Sequence, residues 1–203
     1  MNYQAVIWDL GGVLVRTDDP LPRQSLAQRL GHTRASLDQL VFGGESSRRA
    51  QLGELTEQQH WENVRQMLGL QIEALSEFQR EFWGGDRLDH ELVEFIRSLR
   101  RDYRTGLLSN NFSSLRSNLS THWQIADAFD VIVISSEVHL LKPDARIYQL
   151  ALEQLQVEPE QAIFVDDFIE NINGAQAAGM QVVHFQNPRQ VKAELIRLLG
   201  NKA

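Results

Sequence analysis

Short apolar runs rich in β-branched residues recur along the chain, and in its second half helical patterns separate them. The predicted strands are residues 4–8, 105–108, 131–134, 162–165 and 181–185. The predicted helices are residues 89–101, a segment that follows Asn111, residues 144–155, residues 169–178 and a segment that follows Pro188. Alternation of strands and helices is typical of βαβ units with right-handed crossovers. The pattern therefore predicts an α/β fold with a doubly wound parallel sheet.

Residues 16–86 differ from the rest of the chain because their periodicity is helical throughout. Glycines interrupt this pattern at Gly31, Gly43, Gly44, Gly53, Gly84 and Gly85. Thr56 followed by Gln59 resembles a capping box that opens one of the helices. We predict that this segment is a helical cap inserted above the strand tips, while residues 1–15 and 87–203 form the α/β core.

Composition excludes several classes of function. The chain has 203 residues, of which 42% are hydrophobic and 23% charged, which suits one globular core with a modest insertion. A net charge of −7 argues against a nucleic acid or an anionic membrane as partner. The chain has no cysteine, which excludes disulfides, thiolate metal sites and cysteine nucleophiles. Because no basic leader or apolar run of about 18 residues is present, we expect a cytoplasmic protein.

Polar side chains follow four of the predicted strands where each strand ends or in the loop beyond it. In chain order they are Asp9, Ser109 with Asn110, Lys142, and the pair Asp166 and Asp167. Each has an ordinary alternative as a helix cap or a solvated side chain. Because the carboxyl ends of parallel strands meet at one edge of the sheet, we expect these groups to converge there.

The set suits nucleophilic attack on phosphorus. A strand-end carboxylate such as Asp9 can attack a phosphate ester and form an acyl phosphate. Three carboxylates would repel the phosphate, since like charges about 4 Å apart cost roughly 4 kcal/mol even at an effective dielectric constant of 20. A bound Mg²⁺ together with the Lys142 ammonium would offset this repulsion. We therefore expect Mg²⁺ as cofactor and a small phosphorylated molecule as substrate.

These motifs resemble those of the haloacid dehalogenase superfamily, in the type that carries a small helical cap after the first strand. They are Asp9-Leu10-Gly11-Gly12-Val13-Leu14, Ser109-Asn110, Lys142-Pro143 and Val165-Asp166-Asp167. The resemblance implies a Rossmann-like core and, for most members, phosphatase activity. The chain is similar to sugar-phosphate phosphatases and to the N-terminal phosphatase domain of soluble epoxide hydrolases.

The resemblance also implies a role for each matched residue. Asp9 would be the nucleophile. Ser109 and Asn110, with Gly12, would bind the transferred group, and Lys142 would steady both the nucleophile and the phosphate.

For the metal, the resemblance implies ligation by Asp9, by the backbone carbonyl of Gly11 and by the acidic pair. Asp166 would hold Mg²⁺ with Asp167 nearby, and which of the two binds the ion directly stays open at this point.

Gly11 also departs from the family pattern. Family phosphatases usually carry a second Asp at this position, which protonates the leaving alcohol and later activates water. Such a general acid–base group contributes about 10²–10⁴-fold to the rate. We therefore expect a slower enzyme, a substitute acid such as Asp18, Asp19 or His139, or a substrate whose leaving group needs little protonation. Sugar 1-phosphates and acyl phosphates are of that kind.

Two other functions compete with a phosphatase. A 2-haloacid dehalogenase also lacks the second Asp, because a halide leaves without a proton, but such enzymes do not keep the acidic pair. A non-catalytic phosphometabolite-binding protein could have lost its acid. The presence of Asp9, Ser109 and Lys142 disfavours that second alternative.

Overall fold

The expected parallel sheet is present in the computed structural model, which describes residues 2–200. The strands are β1 (Ala5–Trp8), β2 (Val15–Thr17), β3 (Asp86–Leu88), β4 (Arg104–Ser109), β5 (Val131–Ile134), β6 (Ala162–Asp166) and β7 (Gln181–His184). Within the described residues, five of them pair in parallel in the order β5-β4-β1-β6-β7, with β1 at the centre. Every strand expected from the sequence is therefore confirmed.

The helices follow the expected alternation. They are α1 (Leu21–Arg29), α2 (Arg34–Phe42), α3 (Glu45–Gln51), α4 (Glu57–Met67), α5 (Leu75–Phe82), α6 (His90–Leu99), α7 (Leu115–Ser117), α8 (Ser135–Val138), α9 (Ala145–Leu155), α10 (Ile169–Ala177) and α11 (Pro188–Leu199). The helix expected after Asn111 is short, because α7 passes into a π-helical turn at Asn118–His122. The capping box of Thr56 and Gln59 opens α4 as expected. None of the helices within residues 2–200 has the length and apolarity needed to cross a membrane.

Both faces of the sheet are covered, which explains why its strands are apolar without alternation. Along β1, Val6 and Trp8 pack into one cluster with residues of α6 and α11. Ala5 and Ile7 point to the opposite face and pack with residues of α9 and α10. These helices cover the two faces of the sheet, so the polar residues at the ends of the strands lie at its edge, beyond the apolar clusters.

Helices α1, α2, α4 and α5 bury a third apolar cluster of their own, which includes Trp61, Phe78 and Phe82. We propose that residues 16–86 form the cap. The short strands β2 and β3, which the sequence analysis missed, pair antiparallel at the two ends of this segment. Each has only three residues, too few for a period-2 pattern to be recognised.

A buried arginine, Arg23 of α1, links α2 and α5 to the pair of strands β2 and β3. The Arg23 side chain is 5% exposed, and its guanidinium contacts Asp86 at 2.8 Å and Asp38 at 3.2 Å. Its Nε donates to the carbonyl of Phe82 at 2.9 Å, and the group lies 4.2 Å from that ring. Such a cation is tolerated in the interior only because it is fully paired.

Replacing Arg23 should therefore destabilise the fold more than replacing an exposed arginine of the same helix. Because Asp86 would lose its buried partner, we expect Arg23→Met to lower the free energy of unfolding by about 3–5 kcal/mol in urea denaturation. Arg29→Met is the matched control, since Arg29 is 58% exposed in its pair with Glu81, and should cost less than about 1 kcal/mol. Equal losses in the two variants would contradict a structural role for the buried pair.

Candidate active site

The lysine and three carboxylates expected at the strand tips lie together. The Lys142 Nζ is 2.8 Å from Asp9 Oδ1 and 2.6 Å from Asp166 Oδ2. Asp9, Asp166 and Asp167 each offer an oxygen, and these oxygens lie within 4.8 Å of one another. Residues far apart in the chain thus form one compact cluster at the edge of the sheet.

Strand register places the two buried acids side by side. Trp8 of β1 pairs with Val165 of β6, so the residues that follow them, Asp9 and Asp166, lie at the same level at the end of the sheet. The Asp9 N–H donates to the Val165 carbonyl at 2.9 Å, which extends the ladder to the nucleophile candidate. Ser109 ends β4 on the other side of β1 and is buried.

Asn110 holds the loop that carries the lysine. Its Nδ2 donates to the Lys142 carbonyl at 3.0 Å, and its Oδ1 accepts from the Lys142 N–H at 2.9 Å. Both polar ends of the amide are therefore used by the backbone of Lys142. This contact depends on the path of a loop in space, which cannot be predicted from the pattern of apolar and polar residues along the sequence.

The Asp166 carboxylate accepts several hydrogen bonds, whereas the Asp167 carboxylate accepts none from a side chain of the described residues. Asp166 is fully buried and accepts from Lys142, from the N–H of Phe168 at 2.8 Å, and from Asn171 Nδ2 at 3.1 Å. Among residues 2–200, no side-chain donor is hydrogen-bonded to the Asp167 carboxylate. The sequence analysis assigned no role to Asn171, although its position in the first turn of α10, directly after β6, places it near the end of that strand.

Gly12 allows the Asp167 carboxylate to approach the first loop. A Cβ on Gly12 would lie 2.1 Å from Asp167 Oδ2, and its φ of +76° also favours glycine. The Gly12 N–H donates to the carbonyl of Val15 at 2.9 Å. At Gly11, by contrast, a Cβ would meet nothing within 4 Å.

Burial and the neighbouring charges shift the pKa values of the groups in this cluster. Desolvation raises the pKa of Asp9 to about 7, with the Asp166 charge adding to the effect and Lys142 opposing it. Desolvation and the Asp166 charge also raise the pKa of Asp167. Desolvation alone would lower the pKa of Lys142, but the Asp9 and Asp166 carboxylates outweigh it and the pKa is raised.

One ammonium faces three carboxylates, so the ionised cluster carries two excess negative charges. The ligand atoms that it offers are carboxylate oxygens, which Mg²⁺ prefers in proteins. The residues present therefore fit a divalent hard cation both in charge and in ligand type.

The three candidate substitute acids are occupied or exposed. Asp18 is exposed, and Asp19 accepts from the N–H of Leu21 at 3.0 Å at the start of α1. His139 Nδ1 lies 2.7 Å from the carbonyl of Leu52. In the described part of the chain, none of the three is hydrogen-bonded to the acidic cluster.

Known proteins resemble both the sequence and the fold. Residues 3–179 match the haloacid dehalogenase-like hydrolase family. Sesquiterpene phosphatase astK of Aspergillus oryzae is 26% identical over 204 residues, 98% of each chain. Acyl-CoA dehydrogenase family member 10 of Mus musculus is 29% identical over 98% of this chain, which spans 19% of that protein. The HAD family enzyme bt-2542 of Bacteroides thetaiotaomicron, solved with magnesium and inorganic phosphate, has a TM-score of 0.75 at 19% identity, covering 91% of this chain and 95% of its own.

The excess negative charge gives a testable effect on stability. Because the pKa of Asp9 is raised on folding, the metal-free native state binds more protons than the unfolded chain between about pH 4 and pH 7. Its free energy of unfolding should therefore fall as the pH rises through that window. We expect metal-free Asp9→Asn to be more stable than wild type by about 4 kcal/mol near pH 8, with the difference shrinking as the pH falls and vanishing below about pH 4.

Urea denaturation in EDTA at several pH values measures this difference. Asp18→Asn, which removes an exposed carboxylate, is the control and should leave the free energy of unfolding near pH 8 close to that of wild type. Added Mg²⁺ should stabilise wild type more than Asp9→Asn, because it binds the native carboxylates. A wild type that is more stable than Asp9→Asn near pH 8 without metal would show that the cluster is not strained by its charge.

Proposed function

The chain belongs to the haloacid dehalogenase-like hydrolase family, and on this basis we propose that it hydrolyses small phosphate monoesters with Mg²⁺ through an aspartyl phosphate. The observation that carries the proposal is the Lys142 ammonium held between Asp9 and Asp166, with the Asp167 carboxylate beside them. This arrangement offers a nucleophile, a counter-charge for phosphate and a set of oxygen ligands in one place.

The metal ligands would be Asp9, Asp167 and the backbone carbonyl of Gly11. Asp166 would support the site by holding Lys142, because its oxygens already accept from the ammonium, a backbone N–H and Asn171. When bound, Mg²⁺ would offset the excess negative charge and polarise a phosphoryl oxygen.

In the first step, the Asp9 carboxylate attacks phosphorus and the bond to the leaving oxygen breaks. The Lys142 ammonium and the Ser109 hydroxyl hold the phosphoryl oxygens during the transfer. In the second step, water attacks the same phosphorus, the bond to Asp9 breaks, and inorganic phosphate leaves with the carboxylate restored. That Asn110 and Gly12 also contact the substrate stays a prediction.

Gly11 restricts the substrate in this mechanism. Without a carboxyl group at this position, the departing oxygen takes its proton from water, which favours leaving groups of low basicity. Sugar 1-phosphates and acyl phosphates meet that requirement. The name of the full-length relative from Aspergillus oryzae adds sesquiterpenyl phosphates as a class to test.

A panel of phosphate esters tests the proposal. We expect Mg²⁺-dependent release of inorganic phosphate that EDTA abolishes, and Asp9→Asn should lower turnover by about a thousandfold or more, because the nucleophile is lost. Chloride release from a 2-haloacid in EDTA would instead support the dehalogenase alternative. Binding of a phosphate ester without turnover would support the non-catalytic alternative.

Restoring the absent acid gives a second test. Because a side chain at Gly11 would meet open space, Gly11→Asp should fold normally. We expect it to raise kcat for esters with basic leaving groups, such as a sugar 6-phosphate, by about 10²-fold or more. Gly11→Asn has nearly the same shape without the acid and should not raise it. Equal rates in Gly11→Asp and wild type would show that protonation of the leaving group is not the deficit.

A further inference from the structure

We propose that His139 is a positioning residue, which holds the proposed cap in place over the site by its hydrogen bond to Leu52. The proposal rests on the phosphatase function argued above. His139 lies at the end of α8, three residues before Lys142 on the same loop. Leu52 lies at the end of α3, in the cap segment. The contact therefore joins the cap directly to the loop that supplies the ammonium.

The hydrogen bond has a defined direction. His139 Nδ1 lies 2.7 Å from the Leu52 carbonyl oxygen. Since a carbonyl can only accept, Nδ1 carries the proton and donates it. The two residues are 87 positions apart, so the bond exists only when the cap sits against the core.

The backbone of His139 is in a conformation that favours glycine. Its φ is +57° and its ψ is +32°, in the left-handed region that most residues avoid. A glycine at position 139 would adopt this conformation freely but would have no ring to donate. The histidine therefore adds a contact with the cap at a backbone cost.

Gly53 shows how closely the two loops approach. Its φ is +71°, and a Cβ there would lie 2.3 Å from the carbonyl oxygen of Ser136 and 3.0 Å from the His139 ring. Any side chain at this position would push the cap loop away from the core. Leu52 and Gly53 thus form one face of a close contact, and Ser136 and His139 form the other.

This contact should shift the balance between a closed and an open cap. One net hydrogen bond corresponds to about a three- to tenfold change in an equilibrium. If substrate binds the closed form, loss of the bond raises KM by lowering the competent fraction, while saturating substrate still closes the cap and preserves kcat. Damage to the fold would instead lower kcat through loss of active molecules and leave KM unchanged.

Two variants separate the effect of the His139 ring from that of its backbone conformation. His139→Gly removes the donor and relieves the left-handed strain, so it should fold at least as well as wild type. With 4-nitrophenyl phosphate and excess Mg²⁺, we expect it to raise KM by about threefold or more and to keep kcat within about twofold. His139→Asn places an amide nitrogen where Nδ1 lies and tolerates positive φ, so it should restore the wild-type KM.

Gly53→Ala should raise KM as His139→Gly does, because the added methyl group separates the two loops. Gly31→Ala is its matched control within the cap, since Gly31 has a φ of +75° but a Cβ there would meet nothing within 4 Å. This control should suffer the same backbone strain without a change in KM.

A distance measurement tests the contact without using activity. Because the natural chain has no cysteine, spin labels can be attached at exposed positions on both sides through Met67→Cys in the cap and Glu153→Cys in the core. We expect His139→Gly to broaden the distance distribution between the labels and His139→Asn to restore it. An unchanged distribution in His139→Gly would overturn the proposed contact. A broadened distribution with an unchanged KM would overturn its positioning role, and a wild type that hydrolyses no phosphate ester would refute the proposed function alone.

Discussion

The structure of the site depends on one buried cation, the Lys142 ammonium, whose side chain is 1% exposed. Such a charge is stable in the interior only when it is paired, and Asp9 and Asp166 supply the pairing at 2.8 and 2.6 Å. The two acids can flank it because β1 and β6 are neighbours in parallel register. The lysine reaches them because Asn110 fixes the backbone of its loop through two hydrogen bonds.

The same cluster is not arranged for maximum stability. A third carboxylate, Asp167, approaches over Gly12 and leaves two negative charges without a counter-charge. Helix α10 also comes close to the lysine loop, where a Cβ on Gly174 would lie 2.8 Å from Pro143 Cβ. Concentrated like charge in a low-dielectric setting destabilises the empty site and favours binding of a cation. Function, rather than folding, explains why these groups are together.

Much of this could be predicted from the sequence because it depends on local pattern. The apolar runs define five strands, and the rule that parallel strands end at one edge predicts that Asp9, Lys142 and Asp166 meet. What could not be predicted depends on how loops travel in space. The double hydrogen bond of Asn110 to Lys142 and the contact between His139 and Leu52 join positions 32 and 87 residues apart. The periodicity of apolar residues does not indicate that either pair of positions lies close together in space.

The open space at Gly11 and the cap contact at His139 bear on the same chemical problem. An enzyme without its own proton donor must admit water to serve the leaving group, yet excess water weakens the electrostatic hold on phosphate. The proposed cap also reaches the loop after Ser109, where the ring centroids of His60 and Phe112 are 5.0 Å apart. It therefore rests on the loop after Ser109 and on the loop that carries Lys142, which are two of the loops with phosphate-binding candidates. On one side the proposed cap is held by an aromatic contact, and on the other by an exposed hydrogen bond beside the close approach of Gly53 to Ser136. Opening at the hydrogen-bonded side would admit water there while the rest of the site stays enclosed.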